Sequence, residues 1–136
     1  MSTDDYKAMD RRCFEEVWSK GDATAVDRFY ATTYICHHPP HSDIHGQEGI
    51  RQQVERTHAA YVDVRYTLED QIAEGNQTLT RWTMRGTPRK PIRGMAPTGR
   101  PVAITGLTLM RYNRDGQMQE EWTYWDELGL QLQLRG

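Results

Sequence analysis

The chain has no apolar run close to the ~20 residues that span a bilayer, and nothing near its N-terminus reads as a secretory signal. The expectation is a cytoplasmic protein that makes no membrane contact. An excess of one charge is missing too. The 17 basic and 19 acidic residues are mixed along the chain and leave a net charge of -2, so there is no electrostatic footprint for nucleic acid or an anionic surface. A small, neutral or modestly polar ligand suits such a chain better. Cysteine is scarce, with only Cys13 and Cys36. In a chain without an export signal these are expected as free thiols. No internal repeat, linker or low-complexity tract divides the 136 residues, a length that suits one domain over residues 1–136.

What is present begins with helical periodicity. Tyr6, Met9, Cys13, Phe14, Val17 and Trp18 recur at spacings of three and four, and Gly21 ends the pattern. Asp22 is a candidate N-cap for a short second helix with Ala25, Val26, Phe29 and Tyr30 on its apolar side. A third helix opens at Gly46 and runs to about Tyr61, carrying Ile50, Val54, Thr57, His58 and Tyr61 along one side. The period then falls to two. Val62, Val64, Tyr66 and Leu68 alternate with polar residues, "EGNQ" (residues 74 to 77) reads as a hairpin turn, and "TLTRWTMRG" returns as a second strand. Residues 87 to 101 hold four prolines and two glycines and predict a long excursion. "VAITGLTLMRY" and "QMQEEWTYW" form two further strands around the turn "NRDG". Three helices followed by an antiparallel meander argue for an α+β fold with the helices on one face of a curved sheet.

The stretch "ICHHPPHSDIH" (residues 35 to 45) concentrates His37, His38, His41 and His45 around two prolines. Metal ligands must converge, and this spacing matches no helical metal signature, so no metal site is expected. Nothing beside Cys36 would act as its base. The segment reads as a solvated loop between helices.

Several ordered pieces carry a resemblance. "PTGRPV", a strand ending in Arg111, a turn and a strand ending "EEW", then "WDELGL" and a glutamine-leucine tail resemble the C-terminal half of SnoaL-like polyketide cyclases, of the nuclear transport factor 2-like superfamily. "FYATTYICHHPP", "GQEGIRQQV" and "LEDQIAEGNQTLTRWTMRGT" are similar to the family in order and spacing, which extends the match over roughly residues 10 to 133. The resemblance implies a cone-shaped α+β barrel, in which three N-terminal helices close a curved antiparallel sheet over a deep, mostly apolar pocket. It also implies an intramolecular aldol reaction on an aromatic ester, run without metal or organic cofactor, with a carboxylate as general acid and base.

Carried over by position, the family's catalytic aspartate falls on Thr123, one assisting histidine on Pro88 and another on Thr108. A threonine hydroxyl donates and accepts hydrogen bonds but takes no proton near neutral pH. The remaining acid–base candidates are His37, which with Pro39 matches the family's H-x-P turn, Glu121 on the inward side of the last strand, and Asp126, which matches a recurrent family acid and is also suited to capping the turn into "ELGL". Strand alternation and the family register place Tyr66, Trp82, Met84, Thr108, Thr123 and Trp125 on the pocket wall. The same alternation turns Trp122 and Tyr124 outward, and the expected assembly is a homodimer burying Trp122 unless the "LGLQLQL" tail covers these aromatics. Two function classes stay open: a cofactor-free acid/base enzyme (cyclase, isomerase or related) acting on an apolar or aromatic molecule, and a non-catalytic protein binding such a ligand.

Overall fold

The computed structural model describes all 136 residues. Helix α1 (Thr3–Cys13) starts at a reciprocal cap: Asp5 N–H donates to Ser2 Oγ and Ser2 N–H donates to the Asp5 carboxylate. It runs on without a break into a π-helical segment, Phe14–Ser19. The wider winding leaves the Trp18 carbonyl for a side chain to satisfy, and His58 Nε2–H donates to it at 2.7 Å. Gly21 follows with φ +73, and a Cβ there would lie 2.8 Å from the His58 ring. A 3₁₀ turn (Ala23–Ala25), capped by Asp22 through Thr24 N–H, leads into the short helix α2 (Val26–Phe29).

The sequence reading departs from the structure at this point. Tyr30 does not end a helix; it begins strand β1 (Tyr30–His37), so Ile35, Cys36 and His37 belong to the sheet and not to a loop between helices. After the turn at residues 38–43 come strand β2 (Ile44–His45) and helix α3 (Gly46–Ala60). Four long strands follow: β3 (Tyr61–Glu74), β4 (Gln77–Pro88), β5 (Val102–Tyr112) and β6 (Met118–Trp125). A helix absent from the expected set, α4 (Glu127–Arg135), ends the chain.

The sheet order is β2-β1-β6-β5-β4-β3. Neighbours are antiparallel except β1 and β6, which run parallel with Cys36 opposite Glu121. The sheet is therefore mixed and six-stranded, and it curves without closing, because β2 and β3 remain as free edges. It wraps around α1 and α3. One core cluster joins Val17, Val26, Tyr30, Tyr34, Ile50 and Val54 to Met110 and Tyr112; a second joins Phe14, Trp82, Met84 and Ile104 to Leu130 and Leu134 of α4. Burying two leucines contributes roughly 1.5–3 kcal/mol each and holds α4 on the concave side.

In β4 and β5 one face is consistently buried: Thr80, Trp82, Met84, Ile104, Thr108 and Met110. Strand β3 breaks step. Its pairing to β4 shifts near Asp63, which has φ 55, and again between Leu68 and Asp70. The second bulge inverts the phase, leaving Ile72 63% exposed and turning Gln71 inward. No helix is long and apolar enough to cross a membrane.

Candidate functional site

Between the concave face of the sheet and the helices lies a cavity of about 730 Å³. Its sheet wall carries Tyr66, Trp82, Met84, Thr108, Glu121, Thr123 and Trp125. Its helix wall is built from α1 and the π segment (Asp10, Cys13, Phe14, Trp18) and from α3 (Ile50, Gln53, Arg56, Thr57), and Leu130 of α4 closes one end. Five of these side chains are aromatic, and Tyr66, Trp82 and Phe14 pack on one another with ring centroids 5.6–6.5 Å apart.

Glu121 is the chemical centre of the sheet wall. Its side chain is half-buried and faces the cavity. Burial raises its pKa, and hydrogen bonds from Thr123 and Tyr34 counter part of that rise. Tyr34 O–H donates to Glu121 Oε1 and Thr123 O–H donates to Oε2. Behind Thr123 the chain continues: its hydroxyl lies 3.0 Å from that of Thr108, which accepts from Trp82 Nε1–H at 2.9 Å. An indole N–H only donates and an ionised carboxylate only accepts, so with Glu121 ionised the chain runs Trp82 to Thr108 to Thr123 to Glu121. Trp82 reaches Thr108 because Gly106, across the strand pair, has no side chain: a Cβ there would enter the indole ring.

A second carboxyl on the wall, Asp10, is 2% exposed. Thr80 O–H donates to its Oδ2 at 2.6 Å, and Gln71 Nε2–H donates to the same oxygen at 3.2 Å. Desolvation pushes its pKa up to about 6, against the pull of Thr80, and the nearby charge of Glu121 adds to the rise.

Residues 38–45 are not simply solvated. His38, His41, Ser42, Asp43, Ile44 and His45 line the cavity mouth. Glu127, at the start of α4, pairs with Arg93 of the 89–101 loop and lies 3.5 Å from His41 Nε2, tying three segments across the opening.

The structure does not bring the three acid–base candidates together. His37 points to the convex face. There it stacks on Trp122 with centroids 5.4 Å apart, and its two nitrogens lie 2.8 Å from Glu120 and 3.1 Å from Asp43. The Glu120 bond, then Asp43, raises the His37 pKa, while Arg111 and His37 lower that of Glu120. Asp126 caps α4 by accepting from Gly129 N–H at 2.8 Å and is not on the cavity wall. Of the three, Glu121 alone faces the cavity. No three His, Cys, Asp or Glu side chains converge as metal ligands would.

Two cavity residues escape the sequence reading. Asp10 falls on the buried stripe Tyr6, Cys13, Val17 at helical spacing, and an acid on an apolar stripe is the signal that points to it. His38 follows Tyr34 and Cys36 at a spacing of two, so once β1 is recognised as a strand, alternation turns His38 inward and His37 outward.

The model of the family "SnoaL-like polyketide cyclase" matches residues 8–134. No curated protein sequence matches the chain. Among solved structures, TsrD from Streptomyces laurentii is 25% identical with a TM-score of 0.86, over 98% of this chain and 97% of that one. IdmH, a candidate polyketide cyclase from Streptomyces antibioticus, is 27% identical with a TM-score of 0.84, over 96% of this chain and 99% of that one. A candidate polyketide cyclase from Acidithiobacillus ferrooxidans is 25% identical with a TM-score of 0.86, over 96% and 94%. With a family match that runs nearly end to end, and the same helix-backed, unclosed sheet in these relatives, the chain belongs to the SnoaL-like polyketide cyclases.

Proposed function

We propose that this protein is a cofactor-free acid/base enzyme, of cyclase or isomerase type, acting on a small apolar or aromatic molecule, with Glu121 as the proton acceptor. One observation carries the reading: a half-buried carboxyl with a raised pKa opens onto an aromatic cavity and is held by two hydroxyl donors. A raised pKa brings a carboxylate closer to the strength that proton abstraction near neutral pH requires. About 730 Å³ lies within the usual range for small-molecule sites and admits a fused-ring ligand. Thr123, at the family's aspartate position, orients the neighbouring acid instead of replacing it. The likeness to IdmH supports the same class of chemistry.

Incubation with activated ring ketones, epoxides and aromatic esters tests the proposal. Turnover by the native protein should fall by roughly 10²–10⁴ in Glu121→Gln, while aromatic ligands still bind. Tight binding of these compounds by the native protein with no turnover would establish the ligand-binding alternative.

We also propose a homodimer through the convex face of the sheet. Leu107 and Tyr124 are cross-strand partners, 45% and 55% exposed, and Leu79 and Trp122 flank Leu109 beside them. Five adjoining apolar positions on the convex sheet surface suit a second copy of the same surface. Helix α4 does not cover them, since Leu130 and Leu134 pack into the concave-side core.

A further inference from the structure

His38 is the cavity residue whose chemistry Glu121 leaves unused. Its Nε2 is buried and has no hydrogen-bond partner in the protein. Buried polar atoms in folded proteins are nearly always paired, so an unpaired ring nitrogen on a cavity wall marks a place for a ligand atom. The only other such side-chain atom, Thr78 Oγ1, is not on the wall. Neighbouring groups leave Nε2 free. His41 only packs against the ring, with centroids 5.4 Å apart, and each Glu121 oxygen accepts one hydrogen bond, from Tyr34 or Thr123, which keeps a lone pair on each for a proton. His38, directly after β1, and Glu121 of β6 line the same cavity, and the pairing of the two strands sets Cys36, two residues before His38, opposite Glu121. The mouth of one cavity thus offers a hydrogen-bond donor and a proton acceptor to the same small molecule.

We infer that His38 Nε2–H is the donor that holds the carbonyl oxygen of the substrate, with the acidic C–H of that substrate toward Glu121. This rests on the acid–base reading of Glu121. The C–H bond breaks and its proton passes to a Glu121 oxygen. The bonding pair forms the C=C of an enolate, and the carbonyl pair moves onto the oxygen that His38 holds. A donor already in place there is stronger for the enolate than for the neutral ketone, which lowers the barrier selectively.

The test uses 1-tetralone and tetralin, two molecules with one ring skeleton that differ by the carbonyl. Trp18, Trp82 and Trp125 on the wall report binding by fluorescence. The native protein should bind the ketone about tenfold more tightly, as one hydrogen bond to a buried donor allows. His38→Phe, which keeps a ring and removes the donor, should bring the ratio close to one with tetralin affinity unchanged, and His38→Gln should retain part of the preference. Equal affinities in the native protein, or an equal loss of both ligands in His38→Phe, overturn the assignment. Exchange of the C2 hydrogens of 1-tetralone in D₂O, followed by NMR, separates the two claims. Glu121→Gln should keep the binding ratio and lose catalysed exchange; persistent exchange sinks the role of Glu121 and leaves His38 standing. If neither compound binds the native protein, the cavity reading falls and this inference with it.

Discussion

Replacing Asp10 by asparagine should make the protein more stable at neutral pH. The carboxyl titrates at about 6 when folded and near 3.8 in the unfolded chain. Between those values the folded state keeps a proton that the unfolded state has lost, so stability falls as pH rises from about 4 to about 6 and is flat in this group above that. At about 1.4 kcal/mol per tenfold change, the whole penalty is about 3 kcal/mol. Asparagine is the neutral isostere, and its carbonyl still accepts from Thr80 and Gln71. Its amide adds a donor that needs an acceptor, and Thr78 Oγ1, buried without a partner against the same carboxyl, can supply one. The expected gain at pH 8 is about 1–3 kcal/mol. Urea unfolding of native and variant protein between pH 3 and 8 reads the effect as a difference curve that is close to zero at the acid end and widens through pH 6. Subtraction removes His37 and most of Glu121, although neutralising Asp10 also relieves the charge it shares with Glu121. An Asp10→Asn protein that is less stable than native at pH 8 would show that the ionised carboxylate is stabilised where it lies, and the argument from burial would be wrong.

Gly106→Ala should destabilise the fold by about 1–3 kcal/mol, since its methyl group enters the space of the Trp82 indole; an unchanged melting temperature and near-UV spectrum would refute that packing. His37, whose folded pKa is raised by Glu120, adds stability that is full below about 6.5 and is lost as pH climbs through its folded value. His37→Gln should therefore flatten the stability profile above pH 6.5, and a slope equal to native counts against the ion pair. Light scattering should give a dimer for the native protein and a monomer for Trp122→Glu or Tyr124→Glu; a monomeric native protein ends the convex-face proposal.

The long hairpins were legible in the sequence for a physical reason. Strands β3 to β6 pair antiparallel in chain order, and at "EGNQ" and "NRDG" the turn chemistry is local, so a period of two is readable in β4 and β5 on either side of the 89–101 loop. The same logic fails in β3, where two bulges re-phase the strand without a glycine or proline to announce them. It fails more seriously at Tyr30–His37. An eight-residue strand between a helix and a proline turn has only the two-residue β2 to pair with nearby, and its main partner, β6, is the last strand of the chain. Reading that segment as helix end and loop hid the alternation of Cys36, His37 and His38, and with it the histidine that faces the cavity. Glu121 lay within reach because it shares a strand face with Thr123 and Trp125. Asp10 was hidden in plain periodicity, as the one acid among the apolar positions of its stripe.

The parallel pairing of β1 with β6 also bears on how the molecule is made. Tyr34 and Glu121, which hydrogen-bond across that pair, are 87 residues apart in the chain. Closing so long a loop is slow compared with zipping the hairpins of β3 to β6. During synthesis β1 emerges early, with only the two-residue β2 beside it, and waits for the last strand to leave the ribosome before its inner edge is covered. The proton acceptor, its tyrosine donor and the inward histidine come together only at that final docking, so a chain stalled before residue 118 holds three helices and a meander but no reactive centre.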